Sequence, residues 1–81
     1  MSRYYFNLKD GHTTLDNEGV ELPTLADARK MAIVNSGEIL KDGASDNLWG
    51  GTPWEMWVTD APNGGGNTLF TLRFSAESGH G

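Results

Sequence analysis

The sequence contains no cysteine among its 81 residues, which excludes disulfides, thiolate metal sites and cysteine nucleophiles. Basic residues are also few: six Lys and Arg face eleven Asp and Glu, and the net charge of −5 disfavours a nucleic-acid partner. The apolar runs are far shorter than the roughly 20 residues that span a bilayer, so no membrane association is expected. Three Trp, two Tyr and three Phe still provide material for one small core, which argues against a disordered chain.

The first part of the sequence has the period of two that is typical of a half-buried strand. Residues 3–9 alternate, with Tyr4, Phe6 and Leu8 on one side. Asp10-Gly11 follows at once, and this dipeptide favours a tight hairpin because it tolerates positive φ. We therefore predict a return strand over residues 12–16. Its inward residues would be Thr13 and Leu15.

The middle of the chain predicts one amphipathic helix. After a short extended piece at residues 20–22, Pro23 keeps the preceding residue out of helical geometry, so the helix should begin at Thr24. The Thr24 hydroxyl can cap the first turn, and Asp27 completes a variant of the capping box. Asp42-Gly43 is the expected end. Spacing at 100° per residue places six residues on the buried side: Leu25, Ala28, Ala32, Ser36, Ile39 and Leu40.

The last third of the chain predicts a second hairpin. A loop over residues 44–53 leads into alternating segments at residues 54–59 and 68–74, joined by a glycine-rich turn. The order of elements indicates an α+β fold of the ββαββ type, with one helix packed on one face of a four-stranded antiparallel sheet. Residues 1–74 would form the single domain. Residues 75–81 would form a flexible C-terminal tail.

Several short motifs resemble a family of short bacterial proteins of unknown function. The chain opens with Arg3-Tyr4-Tyr5-Phe6 and the Asp10-Gly11 turn, then continues with a Gly19–Pro23 segment and an Ala-x-Ala-Arg helix start. The segment from Trp54 to Asp60, with Leu69 to Phe74, resembles the closing hairpin of that family. The resemblance implies the fold and a bacterial cytosolic setting, but no activity and no catalytic residue.

The titratable residues form no pattern that predicts catalysis, a metal site or a cofactor. Asp10 and His12 offer two ligands where a metal needs three or four, and His80 lies in the glycine-flanked tail. The glycine-rich turn lacks the Lys-Ser/Thr ending of a phosphate loop and joins two strands. The serines show no nucleophile elbow. We therefore expect a non-enzymatic protein, and an enzyme of unknown class is the third hypothesis.

The side of the sheet away from the helix is the leading candidate for function. Tyr5, Trp57 and Arg73 fall there by parity, and exposed aromatics beside arginine are common in interfaces. Simple cross-strand packing of the two aromatics is an equally good explanation. The leading hypothesis is a cytoplasmic module that self-associates, as a homodimer for example, or docks a protein partner through this face. The alternative is a small-ligand site in the tryptophan-containing loop, with Trp49 and Trp54 stacking on the ligand.

Overall fold

A computed structural model describes residues 2–44, 48–77 and 79 of the chain. The predicted α+β architecture is confirmed: one helix packs on one face of an antiparallel sheet. In the described residues no helix is long and apolar enough to cross a membrane. The elements in chain order are β1 (Ser2–Lys9), β2 (Thr13–Thr14), β3 (Val20–Leu22), α1 (Leu25–Ile39), a π-helical turn (Leu40–Ala44), β4 (Trp54–Thr59) and β5 (Thr68–Phe74).

The sheet has five strands among the described residues, one more than the sequence predicts. Its main path runs β2-β1-β4-β5. Strand β2 pairs with the C-terminal end of β1, and β3 pairs with the N-terminal residues 2–4 of β1. The predicted extended piece at residues 20–22 is therefore a strand of the sheet. One edge of the sheet consists of two short strands on the same neighbour, whereas the opposite edge consists of the seven-residue β5 alone.

The first hairpin corrects the prediction that Thr13 and Leu15 point inward. Lys9 pairs with Thr13, so the connection has three residues instead of two. A shift of one residue reverses the side of every following side chain, because side chains alternate along a strand. Thr13 consequently lies on the side away from the helix. Both Thr13 and Leu15 are exposed.

The helix agrees closely with its sequence signals. The Thr24 hydroxyl accepts a hydrogen bond from the Asp27 N–H at 3.2 Å, and it donates one to the Asp27 carboxylate at 2.9 Å. The α-helix ends at Ile39 and passes into the π-helical turn that contains the expected stop. Ala28, Ala32 and Ser36 are buried against the sheet, as predicted. Their small side chains allow the helix backbone to approach the strands closely.

The core lies between α1 and the two central strands. Ala28 packs with Tyr4 and Val58, and Ala32 packs with Trp54 and Met56. The apolar row of β5, defined as Phe70, Leu72 and Phe74, packs against this core and is partly buried. The fully buried residues that face the helix thus belong to β1 and β4, whereas β5 contributes partly buried side chains. The predicted loop 44–53 and tail 75–81 fall partly on residues 45–47, 78, 80 and 81, outside the described residues.

Candidate functional site

The side of the sheet that faces away from α1, here called the open face, carries the candidate interface residues. Tyr5 pairs with Thr59 in the register of β1 and β4, and Trp57 pairs with Asn7. Tyr5 and Trp57 are thus diagonal neighbours on one face, and both are half-buried. The residues of this face on the described strands β1, β4 and β5 are Arg3, Tyr5, Asn7, Lys9, Glu55, Trp57, Thr59, Thr68, Thr71 and Arg73.

Part of the open face is covered by the chain itself. Asn7 and Thr59 are both completely buried, although they lie on the side away from the helix. The Asn7 amide donates to the Trp57 carbonyl and to the Thr59 hydroxyl, each at 3.2 Å. The segment between β2 and β3 satisfies the remaining polar atom of the Asn7 side chain, because the Asp16 N–H donates a hydrogen bond to Asn7 Oδ1 at 3.0 Å. Sequence reasoning missed this hydrogen bond, because it forms only when the segment that contains Asp16 folds back against β1.

Asp16 holds this covering segment against β1. Its carboxylate accepts hydrogen bonds from the backbone N–H groups of Phe6, Glu18 and Gly19 at 3.0–3.1 Å. Partial burial raises the pKa of Asp16, but these three hydrogen bonds and the positive charge of Arg3 outweigh it and lower the pKa below its ordinary value. The carboxylate is therefore a structural acceptor in its ionised form.

The uncovered part of the open face lies at its β4–β5 end, around Trp57. A shallow depression of about 450 Å³ is lined there by Lys9, Thr13, Glu55, Trp57, Thr68 and Thr71. Beside it, Arg73 Nε donates to Glu55 Oε2 at 3.0 Å, and the arginine side chain is 74% exposed. This region combines a large aromatic ring with hydroxyls and charges of both signs.

The two candidate ligand-binding tryptophans have different environments. Trp49 is 64% exposed, whereas Trp54 is only 1% exposed and makes an edge-to-face contact with Phe74, with ring centroids 5.6 Å apart. A ring enclosed in the core has no free face for stacking. The prediction that Trp54 stacks on a ligand together with Trp49 is therefore wrong. A ligand site that uses Trp49 alone stays a prediction. Trp54 Nε1 is buried without a hydrogen-bond partner in the described structure.

The described residues show no cluster for metal chemistry. No three His, Asp or Glu side chains within residues 2–44, 48–77 and 79 come together in a way that could hold a metal ion. His12 is exposed in the first hairpin loop, and His80 lies outside the described residues. The prediction of a non-enzymatic protein stays a prediction.

A second apolar surface, which the sequence did not single out, lies between β3 and α1. It is a groove of about 580 Å³ lined by Leu22, Pro23, Asp27, Lys30, Met31, Val34 and Asn35. Val34 is 58% exposed, and the neighbouring Ile33 is 57% exposed. The helical spacing places Val34 opposite the buried stripe, which is the signal that could have identified this surface.

Comparison with known proteins gives the family of the chain and no more. The profile of a family described as a domain of unknown function (DUF6894) matches residues 3–75. The chain belongs to this family. The match includes the helix and all five strands apart from Ser2, the first residue of β1, so the predicted membership in a family of unknown function is confirmed, while a bacterial origin stays a prediction. Neither a curated protein nor a solved structure matches the chain.

Proposed function

We propose that this DUF6894 domain is a non-enzymatic, self-associating module of the bacterial cytoplasm. A second copy of the chain is bound at the β4–β5 end of the sheet, next to Trp57 and Arg73. The bacterial and cytoplasmic setting rests on the motif resemblance. The non-enzymatic character rests on the lack of any catalytic pattern in the sequence.

The observation that carries the proposal is the position of Trp57. The indole is half-buried on the open face, while the buried Asn7 and Thr59 beside it are already satisfied by hydrogen bonds within the chain. The covering segment approaches Tyr5 at one end of this face, whereas Trp57 lines the depression at the other. A large aromatic side chain in such a place is a common centre of a protein interface.

Charge supports a second copy as the partner. The molecule as a whole carries −5, so two copies repel one another over most of their surfaces. Around Trp57 the charges are mixed, because Glu55 is paired with Arg73 and lies opposite Lys9 in the register. Two copies can therefore meet here without opposing acidic patches. In a two-fold symmetric dimer the same patch of both copies forms the contact, so the charges of that patch must not repel one another.

The test is the mass in solution of the wild-type protein and of two tryptophan variants, by light scattering and sedimentation over a dilution series. We expect Trp57→Ala to raise the dissociation constant by about tenfold or more, as for an interface hot spot. Trp49→Ala removes an equally large, exposed ring elsewhere and should leave the constant unchanged. Urea unfolding of each variant separates lost association from lost folding. A wild-type protein that stays monomeric up to about 1 mM would refute the proposal.

A further inference from the structure

We infer that the second copy binds edge-on, with the β5 strands of two molecules pairing antiparallel around a two-fold axis at Leu72. The two sheets then form one continuous sheet with the order β2-β1-β4-β5-β5-β4-β1-β2. This inference rests on the proposed self-association and specifies its geometry, in which Trp57, paired with Thr71 across β4 and β5, borders the strand pair on the open face.

The first argument is the contrast between the two edges of the sheet. On one side, β2 and β3 have two and three residues, and Asp16 binds the backbone of β1 in the gap between them. Short, interrupted edge strands of this kind resist pairing with other chains. On the other side, β5 has seven residues, contains no proline and no lysine, and pairs only with β4 within the described sheet. Among the described residues no strand pairs with the outer backbone groups of β5, so this edge can accept another strand.

The second argument is the incomplete burial of the apolar row Phe70, Leu72 and Phe74. These side chains pack against the core cluster around Ala32, Trp54 and Met56 but are only partly buried. A partner strand on the free edge would bring a second apolar row alongside the first. Burial of apolar surface would then add to the backbone hydrogen bonds between the strands.

The third argument is that the strand is complementary to itself in one register. The regular part of β5 is residues 70–74, since an irregularity interrupts the pairing with β4 between Val58 and Thr59. Its central residue is Leu72. A two-fold axis there pairs Leu72 with itself and Phe70 with Phe74 of the other copy, and all of these lie on the helix side. On the open face the same register pairs Thr71 with Arg73.

Charge is compatible with this register. Strand β5 carries a single charge, Arg73, which is neutralised within its own molecule by Glu55 at 3.0 Å. The two acidic molecules would therefore meet along a strand pair that is locally neutral. Strand pairing of this length buries less than the roughly 1,200 Å² of a standard interface, so dissociation constants between about 1 μM and 1 mM are expected.

A charge introduced at Thr71 tests the register directly. Thr71 is exposed, so Thr71→Lys should leave the monomer folded while placing a second positive charge opposite Arg73 of the other copy. Because the two-fold axis makes this contact twice, we expect the dissociation constant to rise roughly tenfold. Thr71→Glu should bind as well as the wild type or more tightly. Thr14→Lys makes the same change at an exposed residue of the opposite edge and should have no effect.

Distances between spin labels provide a second test, which is clean because the chain has no cysteine of its own. In the proposed register the two Thr71 Cα atoms lie about 8 Å apart, from one strand spacing and a two-residue offset. The two Thr14 Cα atoms are separated by seven strand spacings, or about 34 Å. Single Thr71→Cys and Thr14→Cys variants should report these short and long separations.

The outcomes separate this inference from the proposed function. A dimer that is weakened by Thr71→Lys and brings the Thr71 labels close together supports edge-on pairing. A dimer that Trp57→Ala disrupts but Thr71→Lys does not would refute the edge-on geometry and leave self-association standing. A strictly monomeric wild-type protein would refute both.

Discussion

Replacing Asp16 by Asn tests whether the covering segment is held by a carboxylate. The amide oxygen can retain the two hydrogen bonds from Glu18 and Gly19 at Oδ1, at 3.0 and 3.1 Å. The amide nitrogen then takes the place of Oδ2 and faces the Phe6 N–H, which donates to that oxygen at 3.0 Å in the wild type. One hydrogen bond is lost, and two donors are brought together.

The expected cost of Asp16→Asn follows from this geometry. Loss of a hydrogen bond to a charged acceptor, with the donor left unpaired, costs about 1–3 kcal/mol. A domain of this length has a free energy of unfolding of roughly 4–12 kcal/mol, so the loss is a large fraction of the total. At about 4–8 °C for each kcal/mol, the melting temperature should fall by roughly 4–24 °C.

The lowered pKa of Asp16 predicts how the stability difference between wild type and Asp16→Asn changes with pH. Because folding lowers the pKa of Asp16, the ionised carboxylate stabilises the folded state above the pKa of the unfolded chain. This contribution is lost as the pH falls through the lower, folded pKa. The stability difference between wild type and Asp16→Asn should therefore be complete at pH 7 and shrink below about pH 4. The pKa of Asp60 is also lowered, by hydrogen bonds from Asn67, but both proteins contain it and its effect cancels.

Urea and thermal unfolding, followed by circular dichroism between pH 3 and pH 7, measure this difference. Asp42→Asn is the matched control, since it removes the same charge from an exposed side chain and should change stability by less than about 0.5 kcal/mol. Equal stability of wild type and Asp16→Asn at pH 7 would refute the structural role of the carboxylate. A difference that keeps its full size at pH 3 would refute the electrostatic explanation.

Three further substitutions have expected outcomes that thermal and urea unfolding can check. Gly19→Ala should destabilise by about 1–3 kcal/mol, because Gly19 has φ +71° and an added Cβ would lie 2.8 Å from the Tyr5 ring; wild-type stability would contradict the close approach. Gly37→Ala should stabilise by about 1 kcal/mol, since an added Cβ meets nothing within 4 Å in the helix; a loss would reveal a contact there. Thr24→Ala should cost about 0.5–2 kcal/mol by leaving the Asp27 N–H uncapped, and no change would show that the cap is dispensable.

Several features of the fold follow from the sequence because their physical causes are local. The start of α1 depends on Thr24 and Asp27, three residues apart, and the structure confirms the cap. The buried stripe of α1 and the apolar sides of β4 and β5 depend only on periods of 3.6 and two residues. These periods are fixed by backbone geometry, so they predict which side chains share a face. They placed Tyr5 and Trp57 together correctly.

Tertiary structure decided the features that depend on which segments meet. One additional residue in the first hairpin loop placed Thr13 on the side away from the helix, since side chains alternate along a strand, and Leu15 beyond β2 is exposed. The burial of Asn7 requires Asp16 to cross the edge of β1, which no local pattern encodes. The position of α1, whose buried residues pack on fully buried side chains of β1 and β4 and next to the partly buried row of β5, is a result of packing between distant parts of the chain. Sequence thus determined the faces of the elements, whereas tertiary packing determined which edge and which face remain available to a partner.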